Sequence, residues 1–257
     1  MVGAVSTEKS ALWFRRFVPG AEEAPVRLVC LPHAGGSAAY FLPLAHALGA
    51  RADVLAAQYP GRQDRRREPC IDEMGALADA AFDALRPYLD RPVLLFGHSM
   101  GATLGFELVR RIEAAPGPGA VRLFASGRRA PARAGGPLVH LLDDDRLLAE
   151  LAGLDGTDAR VLGDEELMRS ALPAIRADYK AAETYRLTGD VRLDCPITAL
   201  AGASDPKVTL DEVRAWEQHT TAGFELRVFE GGHFFLAGHR EAIVRLVTER
   251  LHGQARI

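Results

Sequence analysis

One serine sits between two glycines in Gly97-His98-Ser99-Met100-Gly101. It stands where the apolar run Val93–Phe96 stops and the helical pattern Met100–Ala114 begins. A G-x-S-x-G pentapeptide at a strand-to-helix junction is a nucleophile elbow: it holds a hydroxyl on a sharp turn for attack on an acyl carbon. The glycines answer a steric need, because a Cβ at either flank would collide with the neighbouring strand or helix. The helix that follows aims backbone N–H groups and its positive dipole end at the serine. A serine in a turn is otherwise only a turn former or a helix cap, and the strand–turn–helix setting favours the nucleophile.

A serine hydroxyl needs a base. Of eight histidines, His233 in "LRVFEGGHFFL" follows the last apolar run and precedes the last helix, at the same sheet edge as Ser99. His98 adjoins Ser99, but its ring should point away and pack. His46, His219 and His252 fall in helical patterns, His140 lies in an insertion, and His239 starts a helix. The imidazole needs a carboxylate to orient it. Asp205 in "ITALAGASDPKVT" follows the preceding strand, whereas Asp211 opens a helix, where an N-terminal charge role suffices. The order Ser99, Asp205, His233 is that of α/β hydrolases. An oxyanion then needs two donors. They should be the Met100 N–H and the Ala34 N–H in "LPHAGGSAAYF", with His33 bracing that loop by hydrogen bonding.

Strands and helices must carry these groups. Short apolar runs at Val26–Leu31, Val54–Ala57, Val93–Phe96, Val121–Ala125, Ile197–Leu200 and Leu226–Phe229 read as strands buried on both faces. Helical patterns at Ala39–Leu48, Met74–Leu89, Met100–Ala114, Leu210–His219 and Arg240–Leu251 alternate with them. The expected architecture is α/β, a mostly parallel central sheet flanked by helices. From Arg128 to Leu193 the alternation lapses. Leu147, Leu148, Leu151 and Leu154, then Met168, Leu172, Ile175 and Tyr179, recur at helical spacing, and Pro173 should kink or split the second helix. This divides the chain into a core, residues 1–127 and 193–257, and a helical lid insertion, residues 128–192. Asp143 to Tyr185 is expected to be mobile over the site, hinged at Gly135, Gly136 and Gly189, the alternative being that the insertion is only extra packing.

Composition narrows the partners. The 257 residues are 48% hydrophobic with a formal net charge of −3, so the overall balance gives no sign of nucleic-acid binding. Cys30, Cys70 and Cys195 are scattered and odd in number, which fits a reducing compartment. Met1–Gly20 lacks a signal-peptide pattern and no run reaches the roughly 20 apolar residues of a membrane span. A cytoplasmic protein is expected. No H-E-x-x-H, G-x-G-x-x-G or P-loop pattern occurs, so neither a metal nor a nucleotide is called for.

"LPHAGGSAAYF", "QYPGRQDRRREP", "FGHSMGA", "LDCPITALAGASDP" and "GGHFFL" together resemble the type II thioesterases of polyketide and nonribosomal peptide synthesis. The likeness runs through the whole chain, including "ELMRSALPAIRADYKAAETY". It implies an α/β hydrolase that releases aberrant acyl groups from the phosphopantetheine arm of acyl or peptidyl carrier proteins, needing no cofactor of its own. It also implies triad roles for Ser99, Asp205 and His233, and oxyanion roles for Met100 and Ala34. An esterase or lipase acting on a free ester, or a non-catalytic binding protein of the same fold, are the alternatives. Arg62, Arg65, Arg66 and Arg67 in "GRQDRRRE" form either a docking surface for an acidic carrier or a solvated loop with internal ion pairs, and "GRRAPAR" (Gly127–Arg133) is a second docking candidate.

Overall fold

The computed structural model describes residues 10–117, 119–133, 135–154 and 165–252. The expectations for Met1–Lys9, for the middle of the insertion and for the His252 side chain lie outside the described residues.

Seven strands form one sheet: β1 Phe14–Arg15, β2 Arg27–Leu31, β3 Asp53–Ala57, β4 Val93–His98, β5 Ala120–Ser126, β6 Ile197–Gly202 and β7 Phe224–Phe229. Their order is β1-β3-β2-β4-β5-β6-β7, and every pairing is parallel except β1 with β3. The six expected strands are all present. Their residues alternate between two cores, as a period of two demands. Val29, Leu31, Val93 and Leu95 face one helical layer, while Leu28, Cys30, Leu94 and Phe96 face the other.

Helices α1 Leu42–Leu48 and α7 Arg240–His252 cover one face. Helices α2 Met74–Leu85, α3 Met100–Glu113 and α6 Leu210–Arg214 cover the other. Glu73 caps α2, its carboxylate accepting from the Gly75 and Ala76 N–H groups at 2.8 and 2.6 Å. Three expected helices are shorter than their patterns. α1, α2 and α6 each continue as, or begin from, a tighter 3₁₀ turn, at Ala38–Phe41, Arg86–Tyr88 and Ala215–His219 respectively. Pro87 ends α2, since it supplies no N–H to continue the ladder and stands instead in the first turn of the 3₁₀ segment.

Between β5 and β6 lie α4 Asp144–Ala152 and α5 Glu165–Thr184. Asp143 caps α4 by accepting the Arg146 N–H at 2.9 Å. Pro173 does not split α5, which runs unbroken through it. With Val139 of the preceding 3₁₀ turn these helices form a third apolar cluster, Leu147, Leu151, Met168, Leu172 and Ile175, separate from the two sheet cores. Among the described residues no helix is long and apolar enough to cross a membrane.

Candidate active site

The loops after β2, β4, β6 and β7 meet at the carboxyl end of the sheet, where open α/β sheets bind ligands. Ser99 follows β4 with φ 54° and ψ −119°, a strained backbone for a residue bearing a Cβ. Two close approaches hold it there. A Cβ on Gly97 would lie 2.0 Å from the Gly101 carbonyl oxygen, and one on Gly101 would lie 2.0 Å from the Leu31 carbonyl oxygen. The elbow is thus closed on itself and seated on the end of β2. The Ser99 N–H is spent on the Ser126 carbonyl of β5 at 2.7 Å, so the turn is tied to both neighbouring strands. Gly101→Ala should therefore lower stability by about 3 kcal/mol or more, since both contacting atoms are backbone and neither can yield. Urea unfolding of the two proteins measures this.

Asp205 and His233 are brought together by a second close approach. A Cβ on Gly202 would come within 2.2 Å of the Gly232 carbonyl oxygen, and the Ser204 N–H donates to the Gly231 carbonyl at 3.0 Å. Asp205 Oδ2 then lies 2.9 Å from His233 Nδ1, both side chains buried. An ionised carboxylate only accepts, so Nδ1 carries the hydrogen and Nε2 keeps a lone pair. Asp205 Oδ1 accepts the Lys207 N–H at 2.8 Å. That bond fixes the carboxylate plane and was missed in the sequence. Its signal is the Asp-Pro-Lys turn, in which an aspartate accepts from the backbone two residues on. Asp211, the rejected alternative, is exposed and paired with Arg214.

Ser99, Met100, Ala34 and His233 all line one cavity of about 870 Å³. Its opposite wall comes from the insertion, with Leu151, Met168 and Ile175. Met100 opens α3. Ala34 lies in a tight turn in which the Gly36 N–H donates to the His33 carbonyl at 2.9 Å and Gly35 takes φ 77°. Both residues expected to supply the donors thus line the cavity that holds Ser99.

The other described histidines are placed differently. His98 points into the protein, fully buried, with Nδ1 3.0 Å from Ser126 Oγ. Its ring centroid lies 5.2 Å from that of His233. Burial, then the nearby His233 and His33, holds it well below the usual imidazole range. A neutral ring beside His233 does not oppose the positive charge His233 would take up. His33 departs from expectation. Its Nδ1 has no hydrogen-bond partner among the described residues. The loop is braced instead by its carbonyl and by ring packing, 4.6 Å from Tyr40 and 4.8 Å from Phe234. Burial holds His33 down to about 3, hence neutral. His219 bridges two backbone groups, His140 pairs with Glu183, His239 meets the Glu230 carbonyl, and His46 is exposed.

The arginine run does not form one surface. Arg65 is buried, bonded to Glu68 and to the Gln58 carbonyl, and lies over the Trp13 ring at 4.6 Å. Arg62 is buried against Asp178. Only Arg66 and Arg67 are exposed. In the second run, Arg128 donates to Thr103 Oγ1 and the Ala182 carbonyl, and Arg133 is exposed.

Comparison with known proteins agrees with this geometry. A family model described as a thioesterase domain matches residues 26–251. Thioesterase PikA5 of Streptomyces venezuelae is 49% identical over 243 residues, 94% of this chain and 86% of its own length. A probable cadicidin biosynthesis thioesterase of Streptomyces griseus is 49% identical over 245 residues, 95% of this chain and 67% of its own. The solved structure of BorB, a type II thioesterase from the borrelidin biosynthetic cluster, superposes with a TM-score of 0.88 at 53% identity, covering 93% of this chain and 98% of BorB. With a match of that extent across both sheet cores and the insertion, the chain belongs to the thioesterase family, on an α/β-hydrolase fold.

Proposed function

We propose that this thioesterase hydrolyses acyl thioesters from the phosphopantetheine arm of carrier proteins, clearing aberrant acyl groups from a polyketide or nonribosomal peptide synthase. The observation that carries the reading is the buried His233–Asp205 pair facing the same apolar-walled cavity as the strained Ser99. The relatives named as biosynthetic thioesterases support the pathway.

His233 Nε2 takes the Ser99 proton as Oγ attacks the thioester carbon. The Met100 and Ala34 N–H groups receive the developing oxyanion. The C–S bond breaks, His233 returns the proton to the departing thiolate, and water repeats the sequence on the acyl-enzyme. A thiolate leaves readily, so these groups suffice. The prosthetic group is the arm that the substrate brings.

Mass spectrometry of a panel of acyl-carrier proteins after incubation tests the reading. Release from carriers faster than from simple esters of the same acyl group is expected. Equal or preferential cleavage of free esters would point to an esterase instead.

In this reading the cover over the site is α4 with the first half of α5. The second half and the residue after it are tied to the core, by Lys180 to Asp72 at 2.5 Å, Asp178 to Arg62, and the Tyr185 hydroxyl to Glu107 at 2.6 Å. The ties are not confined to that half, because Lys207 Nζ also pairs with Glu150 of α4. Amides of α4 should exchange faster than those of α3, and should slow when Ser99 carries a long-chain acyl analogue. Equal exchange in both helices, unchanged by acylation, would make the insertion a fixed part of the core.

Leu151 and Met168 set the reach of the acyl chain in the same reading. Leu151→Trp or Met168→Trp should cut the rate on long acyl chains about tenfold or more while sparing acetyl groups, because the added ring occupies cavity volume. A chain-length series under single-turnover conditions reads this out.

A further inference from the structure

Asp178 lies on α5, 116 residues from its partner Arg62, and both are buried, 1% and 8% exposed. The pair is bidentate: Arg62 Nη1 donates to Oδ2 at 2.6 Å and Nη2 to Oδ1 at 2.8 Å. Asp178 Oδ2 accepts a third bond, from the Gly35 N–H at 2.8 Å. Arg62 Nη1 reaches the Gly36 carbonyl at 3.3 Å, and the guanidinium is held in turn by the Pro60 carbonyl and the Tyr59 ring. One turn before Asp178, Ile175 packs on the same loop, so closely that a Cβ on Gly35 would lie 2.8 Å from its Cγ1.

These contacts surround Ala34. The peptide before it is fixed through the His33 carbonyl, which accepts the Gly36 N–H. The peptide after it is fixed through the Gly35 N–H, held by Asp178. Gly35 at φ 77° is the third residue of a type II turn, whose central peptide must point one way. Without that acceptor the buried Gly35 N–H is left unpaired, and the turn that carries Ala34 has to shift to satisfy it. A surface ion pair would do nothing comparable. This pair is buried, and its carboxylate is shared with the backbone of the loop that lines the cavity together with Ser99.

We infer that Asp178, oriented by Arg62, is a positioning residue for the oxyanion site: it fixes the His33–Gly36 turn so that the Ala34 N–H is presented to the acyl carbonyl. The inference rests on the assignment of Ala34 as an oxyanion donor. It gives "PGR" and the helix of the insertion a shared task in the chemistry, beyond covering the site.

The test separates the hydrogen bond from the ion pair. Two double variants lack the pair equally, Arg62→Met with Asp178→Asn and Arg62→Met with Asp178→Leu. Only the first retains an oxygen for the Gly35 N–H. Neither leaves a buried charge without its partner, the change that most threatens folding. An ester in place of the Gly35 amide is a third variant, which deletes the N–H and leaves both side chains intact.

Three quantities are read: the unfolding midpoint, kcat and KM on an acyl-pantetheine thioester, and affinity for an alkylboronic acid, whose serine adduct places an oxygen in the oxyanion position. The Asn variant should stay within about tenfold of wild type. The Leu and ester variants should lose on the order of 10²-fold in kcat with KM unchanged, the scale of a displaced catalytic group. Their boronate affinity should fall in parallel. Folded Asn and Leu variants with equal kcat and equal boronate affinity would overturn the inference, as would a loss confined to KM. Failure of the wild type itself to cleave acyl-pantetheine, with boronate binding intact, would count against the proposed function and leave the boronate comparison to decide the role of Asp178.

Discussion

Ser99→Ala should abolish acyl-enzyme formation and lower turnover on the order of 10⁶-fold, the scale of removing the serine or histidine from another serine hydrolase. Stability should hardly change. Among the described residues no hydrogen bond to the hydroxyl supports the fold: the elbow is held by the Ser99 N–H on the Ser126 carbonyl and by the approaches of Gly97 and Gly101. Alanine meets the same φ of 54° with the same Cβ. Active-site labelling with a fluorophosphonate, followed by intact-protein mass spectrometry, measures adduct formation directly. Circular dichroism shows whether the fold persists. Turnover near the wild-type rate would remove the basis of the covalent mechanism.

Asp205→Asn should reduce kcat about 10⁴-fold with little change in substrate binding. The direction follows from the two bonds of the carboxylate. Oδ1 accepts the Lys207 N–H and Oδ2 faces His233 Nδ1. In asparagine the Lys207 N–H claims the single oxygen, which leaves the amide NH₂ opposite Nδ1. His233 must then accept there and carry its hydrogen on Nε2, the nitrogen that has to take the Ser99 proton. The ring stays in place with the wrong tautomer. Asp211→Asn is the matched control, since that side chain is exposed and meets only Arg214. A large effect from Asp211→Asn and none from Asp205→Asn would reverse the assignment.

The sheet and the placement of Ser99, Asp205 and His233 were legible in the sequence because each depends on local pattern. Apolar runs become strands, and glycines fall where a backbone oxygen lies about 2 Å from a would-be Cβ. The edge strand Phe14–Arg15 was not, for two residues carry no periodicity. The ends of α1, α2 and α6 were misjudged because a 3₁₀ turn continues an apolar pattern without continuing the helix. Arg62 and Arg65 read as surface because a charge run is judged by its neighbours in sequence, while burial is decided by distant partners. The available signal was Asp178 itself. It stands three residues after Ile175 and four before Ala182, an acid on the apolar face of a helix, and a buried acid requires a partner.

The third apolar cluster of the insertion has a thermodynamic meaning for substrate choice. Leu151, Met168 and Ile175 belong to that cluster and also form a wall of the cavity. In the proposed reading an acyl chain bound there completes the packing of α4 and α5, so that occupancy and ordering of the cover become linked equilibria. Each methylene buried against those side chains adds about 0.8 kcal/mol of shared stabilisation. Discrimination by length then carries the temperature signature of apolar hydration, and the advantage of long chains over short ones weakens on cooling.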